Sequence, residues 1–195
     1  MDDIVKQAMA KWPNVPHCYG WLALDARGNW RMRDEAAQRA NAPGDKLTNA
    51  ALVGFINRNY AHDDKGRWFF QNGPQRVYVN LEATPYIART DPSQGFVLQT
   101  GQALGAPEAV FMTDAGAVIL QAGDVVAQLD DRDVAQVLAR MELAGRPASV
   151  EAIMAWLEDD TEELMLVNGD SRVKVERLSA EALTRRFGYV QSPGT

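Results

Sequence analysis

Apolar residues first recur at helical spacing, over 2–12, where Ile4, Val5, Ala8, Met9 and Trp12 fall on one face. Asp2 and Asp3 suit the positive end of that helix, and Pro13 and Pro16 close it. The period then drops to two. Tyr19 to Leu24 reads as a strand, Asp25-Ala26-Arg27-Gly28 as a type I turn with a bulge, and Asn29 to Arg33 as the return strand. In that strand Trp30 and Met32 alternate with Arg31 and Arg33, which gives one apolar and one basic face. Residues 36–46 form a loop or short helix. Thr48 is placed to cap a helix to about Tyr60 that buries Leu52, Phe55 and Ile56. The spacing Asp-x-x-Gly-x-Trp of Asp25 to Trp30 recurs from Asp63 to Trp68. A hairpin follows around Asn72-Gly73, with Val77, Val79 and Leu81 opposing Arg76, Tyr78, Asn80 and Glu82. Tyr86 to Arg89 and Phe96 to Gln99 are two further short strands.

Beyond Pro107 the runs become continuously apolar. Val110 to Met112, Val118 to Leu120 and Val125 to Leu129 read as strands buried on both faces. The pattern predicts a helix from Asp131 to Leu143, capped by Asp130 and broken at Gly145-Arg146-Pro147. It predicts a second, capped by Ser149, that buries Val150, Ile153, Met154 and Leu157. Leu164 to Val167 and Arg172 to Arg177 form a hairpin with a type I′ signal at Asn168-Gly169, and Ser179 caps a last helix carrying Leu183. Phe187 and Tyr189 are placed to dock that helix, and Ser192 to Thr195 reads as a frayed tail. Helices do not alternate with single strands. The expected class is therefore α+β, with antiparallel sheets built from hairpins and helices packed on one face. Pro, Gly and a change of charge near 91–107 suggest an N-terminal part over 1–95 and a C-terminal part over 106–190, and 195 residues also suit one continuous domain.

Charge sharpens that division. Residues 1–95 carry 12 basic and 10 acidic side chains, and residues 96–195 carry 8 and 16. The acidic second half disfavours nucleic acid and anionic membranes as partners. The lone cysteine, Cys18, forbids an internal disulfide and points to a reducing cytoplasm, while the acidic N-terminus is wrong for a signal peptide. Two histidines and one cysteine are too few for a structural zinc site, so no metal is expected. None of the five serines lies in Gly-x-Ser-x-Gly, and no phosphate-cradling glycine motif follows a strand, so no cofactor is expected either.

One surface stands out. If both hairpins join one sheet, Arg31, Arg33, Arg76 and Tyr78 share an outer face near Trp68, an aromatic and guanidinium surface suited to an anion or a planar group. These five residues are the candidate ligand-binding set. The competing structural reading makes Trp68, Phe70, Val77 and Val79 core, with arginine stems covering the rim. The run from Gly66 to Arg89 (GRWFFQNGPQRVYVNLEATPYIAR), with Gly20-Trp21 and Gly28-Asn29-Trp30 before it, resembles an uncharacterised proteobacterial family of unknown function over most of residues 10–145. That resemblance carries no activity, ligand or catalytic residue. The residues therefore favour a non-catalytic binding or interaction protein, whose partner is a protein, a small anionic ligand or a second copy of the chain. A small enzyme acting on an anionic molecule through Arg and carboxylate side chains is the alternative.

Overall fold

Two turns built alike organise the first part of the chain. Asp25 O accepts from Gly28 N at 3.0 Å, Asp25 N donates to Asn29 O at 3.0 Å, and the Asp25 carboxylate accepts from the amides of Arg27 and Asn29. Asp63 repeats every one of these bonds with Gly66, Arg67 and the amides of Lys65 and Arg67. Gly28 and Gly66 sit at φ +77° and +70°, the left-handed conformation that a bulged type I hairpin requires. The recurring Asp-x-x-Gly spacing thus encodes a recurring turn.

The computed structural model describes residues 1–159 and 161–194. The chain divides into two units, Met1–Pro85 with Gly188–Thr195, and Tyr86–Phe187. The first contains α1 (Asp3–Lys11), β1 (Cys18–Leu24), β2 (Trp30–Met32), α2 (Glu35–Arg39), β3 (Asp45–Lys46), α3 (Ala50–Arg58), β4 (Tyr60–His62), β5 (Trp68–Asn72) and β6 (Gln75–Leu81). Its sheet runs β3-β2-β1-β6-β5-β4. The hairpin pairs are antiparallel, but β1 and β6 run parallel, with Leu22 opposite Val79 and Leu24 opposite Leu81. The sheet is therefore mixed, a correction to the purely antiparallel expectation. A tight turn forces its two strands antiparallel, whereas the long connection between β1 and β6 leaves their direction free. Alternation puts Leu22, Leu24, Trp30, Val79, Leu81 and Phe70 on one face, all buried, and Ala23, Arg31, Asn80, Tyr78, Phe69 and Arg76 on the other, where Tyr78 and Phe69 are buried as well.

The helices bury narrower stripes than their sequences suggest. In α1 only Val5 is buried, while Ile4 and Trp12 are 72% and 51% exposed. In α3 Ile56 is buried and Leu52 exposed, and the cap is Asn49, whose Oδ1 accepts from Leu52 N, rather than Thr48. The supposed tail is anchored instead: Gln191 O accepts from Leu81 N, and Pro193 is buried. Thr195 lies outside the described residues.

The second unit contains β7 (Tyr86–Asp91), β8 (Gly95–Leu98), β9 (Ala109–Met112), β10 (Val118–Ala122), β11 (Val125–Leu129), α4 (Val134–Leu138), β12 (Met141–Leu143), β13 (Arg146–Pro147), α5 (Val150–Glu158), β14 (Leu164–Asn168), β15 (Ser171–Arg177) and α6 (Ala180–Phe187). Its sheet order is β13-β12-β14-β15-β9-β10-β11-β7-β8, with β11–β7 and β15–β9 parallel. The continuous runs are buried as their composition predicts: Val110, Phe111, Met112, Val118, Ile119 and Leu120 are all inside. Val137, Met141, Ile153, Trp156 and Leu157 pack against the same core as Val110, Met112, Val118 and Leu120. In α5 Trp156 replaces the expected Val150 and Met154, which are exposed.

The predicted helix over 131–143 is a 3-10 turn at Asp131–Asp133, then α4, then β12. Leu143 and Arg146 face each other across Ala144-Gly145, and both turn residues have positive φ, +48° and +76°. That is the type I′ pattern. Asn168 pairs with Ser171, so the loop there is Gly169-Asp170, and only its first residue, Gly169, turns positive, the II′ pattern; the I′ assignment moves to 144–145. Alanine is strained in the left-handed region where asparagine is tolerated. Ala144→Asn is expected to raise unfolding stability by about 0.5–1 kcal/mol in urea titration.

Candidate functional site

The outer face of the first unit's sheet holds a cleft of about 490 Å³, lined by Ala23, Asp25, Arg31, Arg33, Asn41, Asn80, Glu82 and Ser192 among others. Strand alternation brings Ala23, Arg31 and Asn80 side by side, because β1 sits between β2 and β6 in register. Arg31 Nε donates to Asp25 Oδ2 at 2.8 Å, and its Nη1 reaches Gly44 O at 3.3 Å. Burial would raise the Asp25 carboxyl, but hydrogen bonds from Asn29, Arg31 and the Arg27 amide outweigh it and hold the group below its ordinary value. Asp25 is thus fully committed to its turn and to Arg31.

Arg33 differs. It is only 7% exposed, and its partners are the neutral Ala42 O at 3.0 Å and Asn41 Oδ1 at 3.2 Å. Across the cleft, Asn80 Oδ1 is buried with no hydrogen-bond donor. Glu82 closes one side, its Oε2 accepting from Ala26 N. The cleft therefore offers a buried cation without a carboxylate and an acceptor without a donor.

The remaining candidates lie elsewhere on the sheet. Tyr78 is wholly buried (0% exposed), stacked on Tyr19 with ring centroids 4.7 Å apart. Its hydroxyl donates to Asp63 Oδ2 at 3.0 Å and accepts from Arg67 Nη2 at 3.2 Å. Burial pushes the Tyr78 phenol up, and the Asp63 carboxylate adds to that. Burial works against the Asp63 carboxylate too, but hydrogen bonds from Arg67 and Tyr78 bring it down to about 2. Arg76 lies over the Phe69 ring at 4.4 Å. Trp68 is on the opposite face from Phe69 and Tyr78, against Tyr60 and His62. The geometry gathers Arg31 and Arg33 into one cleft, places Arg76 and Tyr78 further along the same face, and separates Trp68. Asn41, Asn80 and Ser192 were not singled out in the sequence. An alternating polar residue looks like any solvated one until a neighbouring strand and a distant tail enclose it.

The fold and cleft define a two-unit α+β protein with a polar, arginine-lined depression on a mixed sheet. The chain belongs to the DUF2944 family, described as "Protein of unknown function (DUF2946)", whose model matches residues 1–194. The expected resemblance to an uncharacterised family is met by that match. No curated protein matches. A solved DUF1285 family protein from Silicibacter pomeroyi DSS-3 is similar at 14% identity and TM-score 0.51, covering 88% of this chain and 87% of its own. Another, from Shewanella baltica OS155, is similar at 14% identity and TM-score 0.41, covering 60% of this chain and 88% of its own. The first likeness concerns the fold alone. Among the described residues, no helix is long and apolar enough to cross a membrane.

Proposed function

We propose that this is a non-catalytic binding protein of a reducing cytoplasm, taking a small hydroxylated carboxylate in the cleft lined by Arg31 and Arg33. The observation that carries the reading is Arg33, a buried guanidinium satisfied only by neutral acceptors. A buried cation with no counter-charge is costly, and an anionic group beside it recovers that cost. The unpartnered Asn80 Oδ1 adds a requirement for a donor on the ligand, such as a hydroxyl. A binding role fits better than acid–base chemistry because Asp25, the carboxylate beside Arg31, is held ionised by its turn and accepts from several donors.

Glycerate and glycerol separate the two requirements. Glycerate is expected to raise the melting temperature and to give a saturable calorimetric isotherm, while glycerol gives neither. Arg33→Gln is expected to weaken glycerate at least tenfold, or about 1.4 kcal/mol, and Asn80→Ala to narrow the preference for glycerate over acetate. Equal responses to glycerate and glycerol, or full binding by Arg33→Gln, would overturn the assignment.

A further inference from the structure

The second unit carries a cleft of its own, about 510 Å³, lined by Arg89, Thr90, Asp91, Pro92, Gly95, Asp133, Gln136 and Arg140. Two of its side chains are arginines that form no ion pair among the described residues, and two are the carboxylates of Asp91 and Asp133. Arg89, on β7, is exposed, and its side chain makes no hydrogen bond or ion pair among the described residues. Arg140 follows α4. Its guanidinium lies over the Phe96 ring at 5.2 Å, and its Nη1 donates to Asn168 Oδ1 at a long 3.4 Å. Its Nε and Nη2 are buried with no acceptor. Those two atoms form one edge of the guanidinium, the edge that grips a carboxylate with two parallel hydrogen bonds.

The acids of the cleft are already engaged. Asp133 Oδ2 accepts from Thr90 N at 2.7 Å. Asp91 Oδ1 accepts from Ser93 N, Ser93 Oγ and Gln94 N at 2.8, 2.7 and 2.9 Å. Those bonds depress the Asp91 carboxyl, that of Ser93 Oγ first. Asp133 therefore holds the amide of Thr90 in β7 and Asp91 the loop after it, while neither guanidinium forms an ion pair among the described residues. The lining thus sets two arginines against two carboxylates, in a segment that is otherwise acidic, with 11 acidic against 3 basic residues over 124–163.

We propose that this cleft is a second binding site, for a small carboxylate held between Arg89 and Arg140. The ligand supplies the acceptors that the Arg140 edge lacks, the guanidinium turning that buried edge into the cleft on binding. Arg89 closes over the other side from the rim. A carboxylate fits better than a phosphate, because the Nε–Nη2 edge is planar and matches two coplanar carboxylate oxygens.

Succinate and inorganic phosphate, titrated calorimetrically into the full chain at low salt, test this. Succinate is expected to bind saturably and more tightly than phosphate. Arg89→Ala, an exposed substitution that leaves the fold intact, is expected to weaken it by roughly tenfold, and Arg140→Lys, which keeps the charge but loses the fork, by a similar factor or more. Absence of saturable succinate binding, an isotherm unchanged in Arg89→Ala, or tighter binding of phosphate would each overturn the proposal. So would an isotherm that vanishes in Arg33→Gln and persists in Arg89→Ala, since that places succinate in the first unit's cleft. Loss of glycerate binding in Arg33→Gln with succinate binding intact supports two separate sites.

Discussion

Gly66→Ala is expected to destabilise the first unit by about 2–5 kcal/mol. A Cβ at that position would stand 1.7 Å from Gly188 O and 3.2 Å from Tyr189 Cα, so the collision is with backbone that has no rotamer to give. The same contact carries structure: Gly66 O accepts from Val190 N, and Arg67 bridges Val190 in parallel. The methyl group must expel the 188–191 segment or distort the turn. Gly116 supplies the control. It closes a similar turn, where Thr113 replaces Asp and its Oγ1 accepts from Ala117 N, at φ +79° with nothing within 4 Å. Gly116→Ala therefore incurs only the left-handed strain, about 1–2 kcal/mol. Urea titration reads both costs, and limited proteolysis of Gly66→Ala is expected to clip residues 188–194 first. Equal losses in the two variants would show that the close approach to Gly188 contributes nothing.

Asp63→Ala is expected to lose about 2–4 kcal/mol. It removes the acceptor for the amides of Lys65 and Arg67, for Arg67 Nε and for the Tyr78 hydroxyl, and strands the Arg67 guanidinium over the Tyr78 ring at 4.7 Å. The carboxyl titrates at about 2 in the folded protein, below its ordinary 3.8. A depressed acid contributes stability that is complete above its unfolded value and is lost as pH falls through the folded one. The wild type is thus expected to weaken between roughly pH 4 and pH 2, and Asp63→Asn to show a shallower decline over that window. An identical acid profile in the two proteins would remove Asp63 from the account. Tyr78→Phe, which keeps the ring on Tyr19 but drops the hydroxyl, is expected to cost less than Asp63→Ala.

What the sequence disclosed followed the range of the forces involved. Turns were legible because Asp25 and Asp63 act on amides two and four residues away. The caps at Ser149 and Ser179 were legible for the same reason, their hydroxyls accepting from Ala152 and Ala182. Burial of Val110 to Met112 followed from composition alone. The expected helix was borne out over Val134–Leu138 but misread over Met141–Leu143, because Val134, Val137, Leu138 and Met141 satisfy one helical stripe, while β12 owes its existence to pairing with β14, more than twenty residues on. The parallel β1–β6 pair depended on the same kind of distant contact. The clefts were least legible. Arg31 and Arg33 could be placed on one face by counting, but that Arg33 and Arg140 meet the neutral Asn41 and Asn168 rather than carboxylates is something no period of two or of 3.6 can locate.

The first unit is assembled from both ends of the sequence, with the other unit's residues spliced between them. During translation every residue of that insert is joined to the chain before Val190 is, so Val190 reaches Gly66 only after the insert has been synthesised. The host must therefore wait with one seam open until its last strand partner is made, and a chaperone or protease acting on the nascent chain would find that seam as its point of entry.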